Sequence, residues 1–197
     1  MDTKFLSRKA LNFAAIAHKD QIRKGTGEPY LAHLARVVQL LGSSVSEKVI
    51  AAAWLHDILE DCDVDYDDLS AAFDQDSGIP DLVACLTEPA KSVPWQDRKL
   101  VWTSNVCLRM DSSLIAVCDK LENTLSIQED LARGLDIGTK LKCGILGYLQ
   151  SNILLIESIN RSFLRSLFQK AYVESGLDEQ VVLNVRVQDL KQLTVEV

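Results

Sequence analysis

The chain has 197 residues and a net charge of −7; 47% of its residues are hydrophobic and 25% are charged. This length and apolar content fit one domain with a sizeable core and argue against long disorder. The acidic balance argues against broad binding to DNA, RNA or acidic membranes, which needs basic patches. A small anionic ligand stays possible, because a metal ion and a few local cations can override the global field.

The five cysteines are odd in number, scattered, and contain no C-x-x-C spacing. That usage is typical of reduced thiols, mostly small core residues, in a cytoplasmic protein. The first residues lead into an amphipathic segment without the apolar core of a signal peptide. No apolar run approaches the roughly 18 residues that a membrane helix needs. We therefore expect a cytoplasmic protein with no membrane partner.

Helical periodicity dominates the chain and predicts an all-α helical bundle. A first helix is predicted over residues 3–19, and the glycines and proline of residues 25–29 then break the helical pattern. The next helix covers residues 30–41 and is closed by Gly42. Ser46 caps a third helix that is expected to run without interruption to about residue 59.

The second half of the chain continues the helical pattern after an acidic turn at residues 61–68. Pro94 is predicted at the first position of a helix, and Asp111 or Ser112 is predicted to cap the helix that follows it. Two short helices are predicted first, one that ends near residue 73 and one that ends near residue 86. A helix over residues 95–110 and another that begins after residue 111 come next. The last two predicted helices cover residues 137–148 and 151–174.

The last residues, 180–197, alternate between apolar and polar side chains in two places. This alternation predicts a short C-terminal strand or hairpin, with a last helix as the alternative. We accordingly predict a main domain over residues 1–175 and a C-terminal appendage over residues 176–197.

An adjacent pair, His56-Asp57, lies in a run that is otherwise apolar from residue 51 to residue 59. A dry helix that carries two such polar groups must satisfy both of them, and a shared metal ion does this well. Together with His33 and Asp119, the pair assembles a set of two imidazoles and two carboxylates. Such mixed N/O ligands suit manganese, iron, cobalt or zinc and leave room for hydrolytic chemistry. The alternative for an isolated histidine is an ordinary core or surface position.

Two acidic residues follow the pair at helical spacing. Glu60 is four residues after His56 and three after Asp57, so it shares their helical face. A carboxylate there can act on an attacking water as a general base or an orienting group. Asp61 is four residues after Asp57 and can support a ligand. The alternative for both is a solvated acidic start to the following loop.

A second spaced pair, Asp119 and Asn123, stands at i and i+4 after an apolar run. Asp119 would be buried unless something binds it, and Asn123 could hydrogen-bond a substrate or a water. The alternative is an ordinary amphipathic helix with Asp119 at its edge.

A basic and glycine-rich turn precedes His33. Arg23 can form bidentate bonds to phosphate or stack on a base, while Lys24 supplies a point charge. Tyr30, which follows the turn, could stack or cap. The turn is neither a Walker loop nor a dinucleotide fingerprint. Elsewhere, Lys120, Arg98 and Lys99 are candidates for phosphate binding, and for Arg98 and Lys99 the favoured alternative is the solvated surface.

Three stretches together resemble the hydrolase domain of the RelA/SpoT family, including its small stand-alone alarmone hydrolases. They are residues 17–33, with the run R-K-G-T-G-E-P-Y, residues 53–61, with the His-Asp pair, and residues 119–123. Their order and separations also fit, and the likeness covers about residues 1–150. The resemblance implies an HD-domain helical bundle that binds one divalent metal, usually manganese, with zinc, iron, cobalt or nickel as alternatives.

The resemblance also implies a reaction and roles for the matching residues. The reaction is hydrolysis of the 3′-pyrophosphate of ppGpp or pppGpp, which gives pyrophosphate and GDP or GTP. His18 matches a position that is not a ligand. The implied metal ligands are His33, His56, Asp57 and Asp119; the implied catalytic residues are Glu60, Asp61 and Asn123; and the implied nucleotide-binding residues are Arg23 and Lys24, to which we add Tyr30 and Lys120 from the residues themselves.

The sequence departs from the family pattern at two positions. Leu34 replaces the usual proline after the first ligand histidine, and Glu122 replaces the usual histidine or tyrosine before the asparagine. A carboxylate near a polyphosphate is repulsive unless it points away or binds a second cation. Two alternatives therefore remain: hydrolysis of another phosphorylated nucleotide, and a nucleotide sensor without catalysis.

Overall fold

The computed structural model describes residues 5–42, 44–74 and 77–135, together with residues 151, 152, 154, 155 and 158. The predicted helix at 137–148, the tail at 180–197 and the boundary at residues 175–176 lie outside them, as does most of the predicted helix at 151–174. Within the described residues the protein is all-α, as the periodicity predicts. Its helices are α1 (Phe5–Ala17), α2 (Tyr30–Leu41), α3 (Glu47–Leu55), α4 (Ile58–Asp61), α5 (Tyr66–Phe73), α6 (Ile79–Leu86), α7 (Trp95–Cys107) and α8 (Met110–Ala132).

Helix α3 lies at the centre of the bundle, in contact with α1, α2, α6 and α8. Its alanines, Ala51, Ala52 and Ala53, are fully buried, so neighbouring helices can approach its backbone closely. Ser46 caps α3 as predicted: its hydroxyl accepts a hydrogen bond from Val49 N at 3.4 Å. The central helix is therefore fixed at its start by a side-chain cap and along its length by small residues.

The predicted uninterrupted helix through the His-Asp pair is wrong. Helix α3 ends at Leu55, and Asp57, with φ −100° and ψ 0°, begins the separate single turn α4. The His56 ring explains the break, because its Nδ1 donates to Ala53 O at 2.9 Å. In an uninterrupted helix that carbonyl would accept the N–H of Asp57. The break lets the pair project from the end of α3 rather than from its middle.

Two other helix starts differ from the prediction by a few residues. Pro94 is the N-cap of α7 rather than its first helical residue, and α7 already ends at Cys107. Helix α8 begins at Met110, so Asp111 and Ser112 lie inside it. The hydroxyl of Ser112 instead donates to Val106 O at 2.7 Å, which ties the two helices together.

The loop between α1 and α2 is a compact hairpin-like turn. Ile22 and Pro29 form an antiparallel bridge, and Tyr30 N donates to Gln21 O at 2.9 Å. Gly25 has φ +95°, and a Cβ at this position would lie 2.6 Å from Asp130 Oδ2. Only glycine fits such a backbone conformation this close to α8. The glycine thereby allows the turn to approach α8 closely.

The described cysteines, Cys62, Cys85, Cys107 and Cys118, are free thiols; Cys118 is buried and the other three are half-buried. None of the helices in the described ranges combines the length and the apolar character needed to cross a membrane.

Candidate metal centre

Four predicted ligands from three parts of the fold meet at one point. His33 comes from α2, His56 and Asp57 from the junction of α3 and α4, and Asp119 from α8. His33 Nε2 lies 3.3 Å from Asp119 Oδ1 and 3.6 Å from Asp57 Oδ2. His56 Nε2 lies 3.0 Å from Asp57 Oδ2 and 3.6 Å from Asp119 Oδ1. His33, His56 and Asp57 each offer a ligand atom within 4.8 Å of the others.

The His56 ring is oriented as a metal ligand would be. Because its Nδ1 donates to Ala53 O, its Nε2 is the atom that faces the carboxylates. That Nε2 is buried, and its close contacts with Asp57 and Asp119 do not have the geometry of hydrogen bonds within the described residues. A divalent cation can be bound by a buried imidazole nitrogen of this kind together with the two carboxylates beside it. The residues present therefore fit a metal ion.

The buried histidines and carboxylates of the cluster shift one another's pKa. Burial alone lowers the pKa of His33, but hydrogen bonds with Asp119, Asp57 and Glu122 outweigh it and raise that pKa to about 9. Burial raises the pKa of Asp57, but His56 and His33 outweigh it and hold that pKa well below its usual range. A cation at this point would compete with protons for the Nε2 atoms of both imidazoles.

Tyr30 lies against the cluster rather than at its mouth. Its hydroxyl donates to Asp57 Oδ2 at 2.5 Å, and its ring stacks on His18 at 5.0 Å between centroids. His18 in turn donates from Nδ1 to Gln21 Oε1 at 2.5 Å. The third histidine is therefore a neighbour of Tyr30 and does not join the other two histidines.

Glu60 projects from α4 on the side of Asp57. Its Oε1 accepts a hydrogen bond from Glu88 N at 2.7 Å. Burial, together with the negative charges of Asp57 and Glu88, raises the pKa of Glu60 to about 7. Asp61 is more exposed, and partial desolvation and the charge of Asp57 raise its pKa as well. Two carboxyls with raised pKa thus stand beside the candidate ligands.

Asp119 is held on both of its oxygens. Asn123 Nδ2 donates to Oδ1 at 2.6 Å, and Lys120 Nζ donates to Oδ2 at 2.9 Å. Lys120 also lies over the ring of Trp102, 4.9 Å from its centroid. The predicted i, i+4 relation of Asp119 and Asn123 is therefore a direct contact.

The two cations of the basic turn have different surroundings. Arg23 is only 5% exposed; its Nη2 lies 2.7 Å from Asn123 Oδ1 and 2.9 Å from Glu122 Oε2. Lys24, the next residue, is exposed. The turn therefore contributes one cation to the interior of the site and one to its surface.

Glu122 lies inside the protein among basic side chains. Only 2% exposed, it receives His33 Nδ1 at 2.5 Å on Oε2 and Arg36 Nε at 2.7 Å on Oε1. Burial raises the pKa of Glu122, but His33 and Arg23 outweigh it and lower that pKa below its usual value. Arg36 also pairs with both oxygens of Glu28. The negative charge of Glu122 is thereby paired with three basic groups of the protein.

The surface position predicted for Arg98 and Lys99 is wrong. Their side chains are 17% and 15% exposed, and both pair with Glu88, whose backbone N–H binds Glu60. Sequence reasoning missed Arg36 and Glu88. Arg36 stands three residues after His33 on α2, a spacing that could have drawn attention to it. Glu88 has no such local signal, because it meets Glu60 only through tertiary packing.

Comparisons with known proteins agree with this geometry. The HD domain family matches residues 10–99. The guanosine-3′,5′-bis(diphosphate) 3′-pyrophosphohydrolase MESH1 of Drosophila melanogaster is 33% identical over 131 residues, which are 64% of this chain and 72% of that protein. The guanosine-3′,5′-bis(diphosphate) 3′-pyrophosphohydrolase of Vibrio cholerae is 35% identical over 99 residues, 50% of this chain and 14% of that protein.

The fold is also similar to that of a solved structure described as a metazoan ortholog of SpoT that hydrolyzes ppGpp and plays a role in starvation responses. It aligns with a TM-score of 0.69 and 25% identity, covering 88% of this chain and 97% of that one. The helical fold and the His/Asp cluster define the class of HD-domain proteins. Within that class, the chain belongs to the family of MESH1 and SpoT-like ppGpp hydrolases.

Proposed function

We propose that this protein is a metal-dependent phosphohydrolase that removes the 3′-pyrophosphate of ppGpp or pppGpp, giving pyrophosphate and GDP or GTP. The observation that carries the proposal is the meeting of His33, His56, Asp57 and Asp119 around one point, with the buried His56 Nε2 facing it. The ppGpp hydrolase activity named for its relatives supports the substrate.

The four ligands would hold one divalent cation, which we propose to be Mn²⁺, with zinc, iron, cobalt or nickel as alternatives. Such an ion lowers the pKa of water and polarises a phosphoryl oxygen when it is bound. The protein's part is to hold two imidazoles by hydrogen bonds at Nδ1, so that their Nε2 atoms face the ion, and to fix two carboxylates through further partners. Tyr30 does this for Asp57, and Lys120 does it for Asp119.

Glu60 is the group that we propose to accept a proton from the attacking water. Its carboxylate is fixed by Glu88 N and its pKa of about 7 suits a base that works near neutral pH. Asp61 stands beside it and orients the same water in this proposal. Asn123 holds Asp119 and would contact the scissile phosphate.

The nucleotide would be held by cations around the cluster. Lys24 is the exposed cation of the basic turn and would meet a phosphate, and Lys120 lies next to Asp119. Arg23 and Tyr30, predicted as nucleotide contacts, engage protein groups here, so a contact with substrate would add to those bonds. No DNA or RNA partner is proposed, and a cytoplasmic location stays a prediction from the free cysteines.

The test is a Mn²⁺-supplemented assay on ppGpp, pppGpp, NADPH and nucleoside monophosphates, with the products resolved by anion exchange. We expect pyrophosphate and GDP from ppGpp, and loss of both turnover and bound Mn²⁺ in the Asp57→Ala variant. Turnover of a different nucleotide alone would keep the metal chemistry and contradict the substrate. Unchanged turnover in Asp57→Ala would contradict the proposed site.

A non-catalytic nucleotide sensor is the second candidate, favoured by one observation. Arg23 and Glu122 are engaged with each other, which withdraws a cation that could otherwise meet the nucleotide. This candidate predicts nucleotide binding by the Mn²⁺-loaded protein without any product.

A further inference from the structure

Glu122 is the meeting point of three basic groups from two segments. His33 and Arg36 reach it from α2, and Arg23 reaches it from the turn before α2. All three contacts are made inside the protein, with Glu122 2% exposed and Arg23 5% exposed. A carboxylate buried this deeply needs such partners, because an unpaired buried charge is strongly destabilising.

The contact with His33 determines which ring nitrogen faces the metal centre. A carboxylate can only accept, so Nδ1 carries the proton and Nε2 is the atom presented to Asp57 and Asp119. His56 reaches the same arrangement with a backbone carbonyl, Ala53 O. A carboxylate orients the ring in the same way as a carbonyl does. Its negative charge also makes the imidazole more basic and so a better metal ligand.

Arg23 extends the same arrangement to a second ligand. Its Nη2 lies 2.9 Å from Glu122 Oε2 and 2.7 Å from Asn123 Oδ1. Arginine can only donate, so the Asn123 oxygen faces Arg23 and the amide nitrogen faces Asp119. That Nδ2 donates to Asp119 Oδ1 at 2.6 Å. The Arg23–Glu122 ion pair therefore contacts His33 directly and Asp119 through the Asn123 side chain.

The outer side of Glu122 balances its charge without touching the ligands. Arg36 bonds Glu122 Oε1 and continues to Glu28 at the surface, with its own side chain 40% exposed. Among the contacts described, Arg36 meets neither Asp57 nor Asp119. Arg36→Gln therefore offers a control that removes a bond to Glu122 Oε1 and leaves the bonds of His33 and Arg23 to Oε2 in place.

We propose that the Arg23–Glu122 pair is a positioning pair that holds His33 and Asp119 in their ligating orientations and thereby sets the affinity for the divalent metal. This rests on the metal site of the proposed function. It assigns Glu122, which departs from the family pattern, a role at the metal centre, and it makes Arg23 a positioning residue in addition to any contact with nucleotide.

The test measures Mn²⁺ binding by electron paramagnetic resonance titration, without any nucleotide. We expect Glu122→Gln to weaken binding about tenfold, at the low end of the 10- to 100-fold range for such partners, because glutamine keeps one acceptor oxygen. Arg36→Gln, the matched control, should stay within about twofold of the wild type by the same measure. Equal affinity of Glu122→Gln and wild type, or an equal loss in Arg36→Gln, would overturn the proposal.

A second readout follows the histidine rings themselves. The chain contains three histidines, so a ¹⁵N spectrum of the Zn²⁺-loaded protein has three ring systems to assign. Glu122→Gln should shift the Nδ1 signal of His33 and leave that of His18 in place; an unmoved His33 signal would contradict the proposal. If Glu122→Gln does not fold, Arg23→Lys is the second variant, because lysine keeps the charge but cannot bridge Glu122 and Asn123 in the same way. It should weaken Mn²⁺ binding, and unchanged binding would overturn the proposal.

These outcomes separate this inference from the proposed hydrolysis. A wild-type protein that binds Mn²⁺ but does not cleave ppGpp would contradict the proposed function, while the effect of Glu122→Gln on the metal could still be measured. A wild-type protein that binds neither Mn²⁺ nor Zn²⁺ would overturn both.

Discussion

At the scale of single residues, the surroundings of the carboxyls at the site shift their pKa values in opposite directions. Asp57 and Asp119 lie among imidazoles and a lysine, which hold the pKa of each well below its usual range against the effect of burial. Glu60 meets desolvation and the negative charge of Asp57, and its pKa rises to about 7. Carboxylates that stay ionised serve as ligands, whereas one that titrates near neutrality suits proton transfer.

The raised pKa of Glu60 predicts how hydrolysis depends on pH. Only its carboxylate form accepts a proton, so the rate should rise with pH through about 7 and fall as pH drops below it. A bound cation favours the carboxylate and lowers this pKa, so the midpoint should lie at or below about 7. We expect Glu60→Gln to lose this rise of the rate with pH and to lower kcat about 10²- to 10⁴-fold.

The measurement is kcat over about two pH units on either side of neutrality, with Mn²⁺ saturation checked at each pH. Asp81→Asn is the control, since this exposed carboxylate lies on α6 and pairs with Tyr66 away from the cluster. A Glu60→Gln variant that kept the wild-type pH profile would show that another group accepts the proton.

At the scale of elements, the short helices depend on their caps. Helix α5 has only eight residues, and Asp65 starts it with a reciprocal capping box that includes Asp68. Asp68 N donates to Asp65 Oδ1 at 2.9 Å, and Asp65 N donates to Asp68 Oδ2 at 3.1 Å. Through Leu69 and Phe73, both buried, α5 closes one side of the core.

Removing this cap should destabilise the protein measurably. We expect Asp65→Ala to lower the free energy of unfolding by about 1 kcal/mol, because Asp68 N loses its acceptor. Urea denaturation followed by circular dichroism measures the change. Asp67→Ala in the same first turn serves as control and should cost less, since Asp67 adds only a favourable charge there. Equal losses in the two variants would contradict the capping role.

At the scale of the whole molecule, the metal centre joins helices that are far apart in sequence. Its candidate ligands come from α2, from the junction of α3 and α4, and from α8, so a bound cation links the central helix to two neighbours. The unfolded chain has no such assembled site. Metal binding should therefore stabilise the folded state.

This predicts a thermal shift on adding metal. At a free Mn²⁺ concentration about 100 times Kd, the folded state gains about 2.7 kcal/mol, which raises Tm by roughly 5 to 10 °C for a chain of this size. Differential scanning fluorimetry before and after chelation measures it. His56→Gln should lose the shift, while His18→Gln should keep it, because His18 contacts Tyr30 and not the other histidines. A shift lost equally in both would contradict the ligand assignment.

The sequence by itself determined the helical class and most helix bounds, and it predicted the candidate ligands. Apolar periodicity is local, so α2 was predicted at its observed bounds, and Ser46 was predicted as the cap of α3. His33, His56, Asp57 and Asp119 could be picked out because polar groups in apolar runs need partners.

Only the tertiary structure decided what each polar group meets. The end of α3 at Leu55 depends on the His56 ring taking a backbone carbonyl, which periodicity does not encode. Glu122 could not be placed from spacing, because its partners Arg23 and Arg36 lie about a hundred and about ninety positions away. Contacts between distant segments depend on how whole helices pack, and so the orientation of the ligands becomes definite only in the folded protein.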